Sequence, residues 1–521
     1  MKTEYGIQVL RDIINDALKK LDINDNNNLT IEKIKNKEYG DYATNIALFL
    51  AKKNNQNPEE IALQIIKEIK KNTTYIKKVT YVKPGFINIT VNNKFITKII
   101  NQILEKQSDY GKGKPNNIKY NIEIVSANPT GPLHIGHGRN GAIGDSSAKI
   151  MRFAGYDVKV EYYINDAGNQ INTYANSIFT YYLKNLNIEC AFPEESYQGE
   201  EQEQIAKLLI EKYNNKFIDY KIVDNILIGK DAESVFKKEA VYMMLNIIKQ
   251  QLKTFRVDIE HWSSEAEMYH NNAIDKLLKR YQKLNYLYKK DNALWLKTTD
   301  FGDDKDRVLV KSDGTYTYIL PDLACHDLRI QRTNADYLVN VWGGDHHGYI
   351  KRMSAGLAIL GHRPNILEID IIQMVRLVKD GKEYKMSKRK GTAVWLMDVI
   401  NELGVDVVRY MLSSKNASSH MELDISLLKK DNQKNPVFYL QYATARCQSL
   451  LKKIKQLDWN IDNTPLDFYD LLGNDKEKEI VKELDNFYLV VQLAAKLRQP
   501  SVICDYLQLI ARLFHSYYAK F

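Results

Sequence analysis

NIEIVSANPTGPLHIGHGRNGAIGDSSAKIMRFAGYDVKVEYYIND, residues 121–166, contains enough local signals to predict the central architecture. Its first five residues are a short apolar-rich run, which is typical of a buried parallel strand. Residues 139–155 carry apolar side chains at helical spacing and end at Gly155, a common helix stop. Residues 157–164 predict the next strand. Strand, glycine-containing turn, helix and strand together predict one βαβ unit of a nucleotide-binding sheet.

The turn between the first strand and the helix contains the sequence HIGH, from His134 to His137. The unpaired N–H groups and the dipole at the start of a helix favour an anion. Two imidazoles can donate hydrogen bonds to a triphosphate, and Gly136 allows an adenine to lie against the backbone. A tetrapeptide also recurs by chance in ordinary loops, but the position between strand and helix favours a nucleotide site.

Length and charge give weaker indications. A chain of 521 residues exceeds a single core and predicts about three domains. The formal net charge is +9, and most of the excess falls in residues 1–114, which hold 20 basic and 13 acidic residues. A basic domain beside a nucleotide fold suggests a polyanionic partner, although a solvated lysine-rich face explains the charge equally well.

Cysteine usage and the start of the chain predict the compartment. Four cysteines lie far apart without the spacing of metal ligands, so we expect no metal site and a reducing compartment; they are Cys190, Cys325, Cys447 and Cys504. The first residues lack the apolar core of a signal peptide, and no apolar run approaches membrane length. The sequence therefore predicts a cytoplasmic protein that does not cross a membrane.

The hydrophobic pattern predicts three domains. Residues 1–108 combine helical segments, one of them over 40–53, with two β-like runs and predict an α+β domain. Residues 115–400 predict an α/β domain with a Rossmann-like parallel sheet, interrupted by a mostly helical and polar insertion at about 169–296. Residues 401–521 have an almost wholly helical pattern, which predicts an all-α bundle.

Two further segments carry polar groups suited to a nucleotide. Asp345 follows an apolar strand and two glycines, where a carboxylate can accept hydrogen bonds from a ribose; a helix N-cap is the alternative. Residues 385–391 form a lysine-rich loop suited to phosphate charge that develops in a transition state. The alternative for this loop is an ordinary solvated segment.

Aromatic residues alternate with basic and amide groups in the last helices, for example Tyr442 near Arg446 and Tyr518 near His515. Exposed aromatic rings can stack on unpaired nucleobases. For most of these rings, packing inside a helical bundle is the simpler interpretation.

HIGH at 134–137 and KMSKR at 385–389 resemble the paired ATP motifs of class I aminoacyl-tRNA synthetases. The blocks SANPTGPLHIGHGRNGAIGD, YYINDAGNQI, WGGDHHGY, KMSKRKGT and NPVFYLQYATAR resemble arginyl-tRNA synthetases in particular. The N-terminal segments GDYATNIA and PGFINI extend this resemblance over essentially the whole chain. DVVR stands where the family has DALR, and the resemblance implies a helical anticodon-binding domain that is short at its C-terminal end.

The resemblance implies an arginine site made of Glu123, Ser126, Asn128, Tyr318 and Asp322. Two carboxylates suit a guanidinium, which offers its donors in a fixed planar fork. Tyr318 and Asp322 are four residues apart and would share one face of a helix. The ordinary alternatives are a core position for Tyr318 and a helix cap for Asp322, whereas a carboxylate such as Glu123 in an apolar strand needs a partner.

The remaining site residues are also implied by the resemblance. His134, His137, Lys385 and Lys388 are expected to act in catalysis. ATP is expected to contact Asn128, Pro129, Thr130, Gly131, His134, Ile135, Gly136, His137, Asp345, Lys385, Met386, Ser387 and Lys388. The tRNA is expected to contact Phe86 and Asn88 through its D-loop, and Tyr442 and Tyr518 through its anticodon.

The resemblance implies a monomer that activates arginine with ATP and transfers it to the terminal 2′-hydroxyl of tRNA. Mg²⁺ is expected to arrive with ATP, without a dedicated protein site. No side chain need form a covalent intermediate, because positioning and charge stabilisation can supply the acceleration. The alternatives are another class I synthetase, a small nucleotidyltransferase with a similar histidine loop, and a non-catalytic tRNA-binding paralogue.

Overall fold

The computed structural model describes residues 5–23, 29–34, 36–71, 74–344, 347–384, 394–457 and 474–520. These residues form two compact units. The terminal unit contains the described residues within 1–113, 440–493 and 505–521, and the central unit those within 114–439 and 494–504. None of the helices in the described part of the chain combines the length and apolar character needed to cross a bilayer.

The amino-terminal part of the terminal unit is an α+β fold. Its elements are α1 Gly6–Lys20, β1 Glu32–Lys33, β2 Tyr42–Thr44, α2 Ile46–Asn54, α3 Pro58–Ile69, β3 Ile76–Val82, β4 Phe86–Val91 and α4 Asn93–Lys106. The strands form an antiparallel sheet in the order β1-β2-β4-β3. Apolar side chains from all four helices and from the sheet make one core, which removes their apolar surface from water.

The prediction of one helix over residues 40–53 is wrong at its start. Tyr42–Thr44 form strand β2, and helix α2 begins only at Ile46. Tyr42 and Thr44 are buried whereas Ala43 between them is half-buried, which is the period of a strand. Pairing of Tyr42 with Ile89 of β4 then overrides the local helical pattern.

Four helices near the end of the chain follow: α16 Pro436–Gln456, α17 Asp475–Asp485, α18 Phe487–Leu497 and α19 Ser501–Tyr518. Within the terminal unit, α17 is joined to the amino-terminal fold. Asp485 accepts hydrogen bonds from the backbone N–H groups of Gly6 at 2.7 Å and Ile7 at 3.0 Å. Lys33 pairs with Glu483 at 3.0 Å. The two hydrogen bonds to Asp485 fix the start of α1, because its first N–H groups have no partner within the helix.

The central unit is built on five parallel strands. They are β5 Lys119–Glu123, β6 Asp157–Ile164, β9 His261–Ser264, β13 Tyr337–Gly343 and β14 Leu367–Ile372, in the order β14-β13-β5-β6-β9. The strand order reverses between β5 and β13. Ligands of open parallel sheets bind in the crevice at such a reversal, outside the carboxyl ends of the strands. The parallel sheet confirms the predicted Rossmann-like fold.

Helix α5 Ile135–Phe153 connects β5 to β6, as the sequence predicts. The connection from β6 to β9 contains α6 Asn169–Asn185, α7 Glu200–Tyr213, β7 Lys221–Val223, β8 Ile226–Ile228, a π-helix Ala232–Glu239 and α8 Ala240–Thr254. The interval predicted to be mostly helical, 169–296, therefore also contains β9 of the central sheet. Its four residues, HWSS, are too few and too polar to stand out as a strand.

The other elements surround the sheet. Between β9 and β14 are α9 Glu265–His270, α10 Ala273–Lys283, β10 Leu287–Lys290, β11 Ala293–Leu296, β12 Arg307–Val310, α11 Ile319–Thr333 and α12 His347–Ile359. After β14 are β15 Val375–Lys379, β16 Lys382–Glu383, α13 Leu396–Leu403, α14 Val405–Ser413, β17 Met421–Asp424 and α15 Ile425–Leu428. Helices α10, α11 and α12 share one apolar core with β11 and β13.

Candidate active site

The chain leaves β5 through a strained turn at the strand-order reversal. Val125 and Ser126 have φ angles of 66° and 41°, a left-handed conformation that non-glycine residues adopt at about 1–3 kcal/mol each. The turn is held on both sides, since Val125 N–H donates to Asn140 Oδ1 at 2.7 Å and Ser126 Oγ accepts from Tyr163 N–H at 3.0 Å. Such strain gathers at functional sites.

The two histidines of HIGH cap helix α5 reciprocally. His134 Nδ1 accepts from the N–H groups of Gly136 at 3.1 Å and His137 at 3.3 Å, and His137 Nδ1 accepts from His134 N–H at 3.3 Å. The rings stack with centroids 3.6 Å apart. Because each Nδ1 acts as an acceptor, the ring proton of each neutral imidazole belongs on Nε2.

Electrostatics keep both histidines neutral. Burial lowers the pKa of His134, and burial together with His134 lowers the pKa of His137 to about 3. At neutral pH each ring therefore presents an Nε2–H donor instead of a positive charge. A side chain on Gly136 would place its Cβ 2.9 Å from the His134 ring, so the close packing of the motif requires glycine there.

The loop that precedes HIGH contains four further predicted ATP contacts, at residues 128–131. The carbonyl of Thr130 accepts a hydrogen bond from Gln202 Nε2 at 2.7 Å, and Asn128 Nδ2 donates to Gln170 Oε1 at 2.7 Å. Pro129 and Gly131 lie in the same loop, and Ile135 begins α5. Helix α6 and helix α7 thus hold this loop beside the histidine cap.

The segment that follows the lysine-rich loop is attached to HIGH. Ile135 N–H donates to the Val394 carbonyl, and Leu396 N–H donates to the Leu133 carbonyl, both at 2.8 Å. Asp345 and residues 385–393, with Lys385, Met386, Ser387 and Lys388, lie outside the described residues. The predicted roles of these residues stay predictions.

An acidic cluster lies next to the turn after β5. It consists of Glu123 at the end of β5, Asp322 in the first turn of α11 and Glu265 at the start of α9. Tyr349 donates a hydrogen bond to Asp322, and Tyr163 donates one to Glu265. Burial, followed by the charges of Glu123 and Glu265, raises the pKa of Asp322 to about 7. Burial also raises the pKa of Glu265 and of Glu123.

The structure assigns different surroundings to the five residues predicted for arginine. Glu123 and Asp322 belong to the acidic cluster, and Ser126 hydrogen-bonds Glu123. Asn128 lies on the neighbouring loop. Tyr318 precedes α11 with its side chain 91% exposed, so neither the core position nor a contact within the acidic cluster describes it in this structure.

Three members of this region were missed from the sequence: Glu265, Tyr163 and Tyr349. Glu265 directly follows β9, at the carboxyl end where ligands of parallel sheets bind. Recognition of HWSS as a strand would have pointed to it. Tyr163 and Tyr349 lie within the family blocks YYINDAGNQI and WGGDHHGY, but their contacts with the acids form only in the folded chain.

The predicted tRNA contacts lie in the terminal unit. Phe86 is 38% exposed at the start of β4, whereas Asn88 is buried and donates to the Tyr39 carbonyl at 3.0 Å. Tyr442 is 40% exposed. The guanidinium of Arg446 lies 4.4 Å from the Tyr442 ring centre and 4.5 Å from that of Tyr518, within cation–π range.

Comparison with protein families supplies the class of protein. The family model described as "tRNA synthetases class I (R), catalytic domain" matches residues 99–432, which contain the histidine cap and the acidic cluster. The catalytic centre is therefore that of a class I aminoacyl-tRNA synthetase. Residues 8–91 match the "Arginyl tRNA synthetase N terminal domain", and residues 440–521 match the "DALR anticodon binding domain".

Individual relatives identify the family within this class of synthetases. An arginine–tRNA ligase of Mesoplasma florum is 50% identical over 94% of this chain and 88% of its own length. An arginine–tRNA ligase of Listeria welshimeri is 43% identical over 94% of this chain and 86% of its own length. The arginyl-tRNA synthetase structure from Thermus thermophilus, 18% identical, shares the fold with a TM-score of 0.73 over 98% of this chain and 91% of that one. The chain belongs to the arginyl-tRNA synthetase family, which confirms the resemblance seen in the sequence.

Proposed function

We propose that this chain joins L-arginine to its tRNA in two steps within the crevice of the central unit. An arginine carboxylate oxygen first attacks the α-phosphorus of ATP, the bond to the β-phosphate breaks, and pyrophosphate leaves. The terminal 2′-hydroxyl of tRNA then attacks the arginyl carbonyl, and AMP leaves. Mg²⁺ accompanies ATP and neutralises part of its charge, and the protein acts by positioning and by charge stabilisation.

The observation that carries the proposal is the acidic cluster. The charged groups that act on Asp322 in the described part of the chain are the carboxylates Glu123 and Glu265, and they raise its pKa. A planar cation placed among these acids would relieve their repulsion and satisfy their acceptors. A guanidinium fits this chemistry. Neutral amino acids would bring no cation to Asp322 and Glu265, so arginine selection requires no editing step.

The histidine cap is suited to the ATP side of the reaction. The amino end of α5 carries two Nε2–H donors, on His134 and His137, and it follows the same turn after β5 as the acidic cluster. Neutral Nε2–H donors can bind phosphate oxygens without bringing a hydrated charge into the crevice, whereas the first N–H groups of α5 already donate to the histidine cap and to Val394. We assign Lys385, Lys388 and Asp345 to the same nucleotide on the resemblance.

The terminal unit is suited to the RNA. Tyr442, Arg446 and Tyr518 form an aromatic and cationic group able to stack on unpaired bases. Phe86 offers a second exposed ring. Asn88 donates to the Tyr39 carbonyl beside it, and its contact with the D-loop stays a prediction. We propose a monomeric enzyme of the cytoplasm, a reducing compartment that suits four cysteines lying far apart in the sequence.

The test is charging of unfractionated tRNA with each of the twenty amino acids in the presence of ATP and Mg²⁺. We expect arginine alone to be attached, with pyrophosphate exchange that depends on arginine and on tRNA. Attachment of another amino acid would identify a different class I synthetase. Binding of tRNA without exchange or charging would identify a non-catalytic paralogue. Omission of ATP is the control in each reaction.

A further inference from the structure

Arg329, near the end of α11, is a buried cation close to the acidic cluster. Its side chain is fully buried, and all of its nitrogen atoms have partners. Nη1 donates to Glu123 Oε2 at 2.8 Å and to Asn340 Oδ1 at 2.7 Å. Nε donates to Asn121 Oδ1 at 2.6 Å, and Nη2 donates to the Asn121 carbonyl at 3.3 Å and the Val339 carbonyl at 3.5 Å.

Stability alone does not account for a charge at this position. Buried ion pairs are often replaced by apolar residues at no cost in stability, because desolvation offsets their attraction. Two carboxylates lie within 4 Å of the guanidinium, Glu123 at 2.8 Å and Glu161 at 3.7 Å. The two carboxylates differ in how far their charge depends on Arg329.

Glu161 has other partners. Arg332 and Ser263 bind its carboxylate, and Asn121 Nδ2 donates to it at 3.0 Å. Burial works against the charge of Glu161, but Arg329, Ser263 and Arg332 together lower its pKa. Among the cations in the described ranges, Arg329 is the one that pairs with Glu123.

Glu123 is surrounded by groups from four elements. The titratable and charged neighbours are Asp322, Cys325, His326 and Arg329 of α11, Glu161 of β6, Tyr349 of α12 and, beside Asp322, Glu265 of α9. His326 cannot replace the cation, because burial lowers its pKa to about 3. Burial raises the pKa of Glu123 and Arg329 opposes that rise. Without Arg329, protonation of Glu123 would extend to higher pH.

We propose that Arg329 is a positioning residue for substrate selection. It holds one oxygen of Glu123 and keeps this carboxylate ionised, so that the cluster accepts the cationic guanidinium of arginine and rejects its neutral ureido analogue, citrulline. A protonated Glu123 would lose its attraction for the guanidinium and could donate a hydrogen bond to the ureido oxygen. This inference rests on the proposed function.

The experiment compares Arg329→Gln with the unaltered protein in tRNA charging with arginine and with citrulline. At pH 7 we expect the ratio of kcat/KM for arginine to that for citrulline to fall about tenfold to a hundredfold, the size of one charge-assisted hydrogen bond. The loss should appear in the KM for arginine more than in kcat. Relative to the unaltered protein at the same pH, the loss should diminish as the pH rises above 7 and Glu123 ionises.

Two further variants keep the test decisive if Arg329→Gln folds poorly. Glu123→Gln mimics the protonated acid, and the double variant Glu123→Gln/Arg329→Gln removes both charges of the pair together. If Arg329 acts through the charge of Glu123, these two variants share one arginine-to-citrulline ratio. A double variant that discriminates at least tenfold less than Glu123→Gln overturns the inference.

An unchanged ratio in folded Arg329→Gln, or a loss that is independent of pH, also overturns the inference. These outcomes are distinct from failure of the proposed function. In that case the unaltered protein itself would not attach arginine to tRNA, which the same assay measures first.

Discussion

Asp485 is a buried aspartate of the terminal unit and Asp322 is a half-buried aspartate of the central unit, and the groups around their carboxylates differ. Asp485 of the terminal unit accepts two backbone hydrogen bonds, from Gly6 and Ile7, and lies near the cation Lys33. Asp322 of the central unit receives a hydrogen bond from Tyr349 and faces two further carboxylates. Burial raises the pKa of Asp485 to about 6 and that of Asp322 to about 7.

The comparison separates two uses of a buried charge. The backbone already supplies donors to Asp485, so its carboxylate completes the fold of the terminal unit. Two further acids lie near Asp322, so burial and their charges raise the cost of ionising it more than the Tyr349 hydrogen bond lowers that cost. Perturbed groups of the second kind mark functional sites, because a ligand provides the missing compensation. Substitutions should therefore affect substrate use at one aspartate and stability at the other.

The largest effect is expected for Asp322→Asn. The amide keeps the size of the side chain but removes its charge and presents donors to a guanidinium that also donates. Breaking a buried ion pair costs on the order of 3–5 kcal/mol. That corresponds to a loss of roughly a hundredfold to a few thousandfold in kcat/KM for arginine. Glu123 and Glu265 remain, so the lower end is expected.

Steady-state aminoacylation over a range of arginine concentrations measures this loss, with ATP affinity determined separately. The unfolding temperature should stay equal or rise, because the repulsion among the acids decreases. A loss under about fivefold would be that of an exposed ion pair. The guanidinium would then bind elsewhere, and Asp322 would be an ordinary residue of the first turn of α11, since the N-cap position belongs to Tyr318.

Asp485→Ala is expected to lower stability and to leave the use of arginine unchanged. It leaves two buried N–H groups without acceptors, each at a cost of about 1–3 kcal/mol. Hydrogen exchange at Gly6 and Ile7 should accelerate strongly and the unfolding temperature should fall. The KM for arginine at 25 °C should remain unchanged. Asp485→Asn is the matched control, since its one remaining acceptor should give an intermediate loss.

An altered arginine KM in Asp485→Ala without faster exchange at Gly6 and Ile7 would remove the contrast between the two aspartates. It would mean that the aspartate in the terminal unit contributes to substrate use.

The smallest expected effect is the change of arginine affinity with pH. Since the pKa of Asp322 is about 7 in the free protein, the ionised form that binds a cation is lost as pH falls through that value. Arginine affinity should therefore rise up to about tenfold from pH 6 to pH 8. Calorimetry in buffers of different ionisation enthalpy should detect protons released on binding near pH 7.

Asp322→Asn is the control for this titration, because it should bind weakly and with a smaller change between pH 6 and pH 8. Equal pH dependence in the variant and the unaltered protein would assign the titration to another group, such as Glu265.

The sequence predicted those features that have a local signal. The βαβ unit follows from hydrophobic period and a glycine, and the family follows from the HIGH and KMSKR motifs. The family models and relatives confirm the family prediction. Asp322 was found because the family pattern continues around it, although its place among three acids depends on α9, α11 and β5 meeting in the fold.

Features made by distant pairing were missed. Strand β9 is four residues long and polar, and it is recognisable only by its parallel pairing with β6. Glu265, which follows it, was missed with it. Tyr42–Thr44 were assigned to a helix because their pairing with β4 is not visible in the local pattern. Nothing in the local sequence links Asp485 to Gly6.

The contact between Gly6 and Asp485 also has a consequence for biosynthesis. The two residues are 479 positions apart, so the acceptor for the first turn of α1 is translated 479 residues after Gly6. At about 5–20 residues per second, the start of α1 waits roughly half a minute to a minute and a half on the ribosome. In a nascent chain interrupted before Asp485, the N–H groups of Gly6 and Ile7 can donate only to water. The start of α1 in such a chain remains accessible to chaperones and proteases.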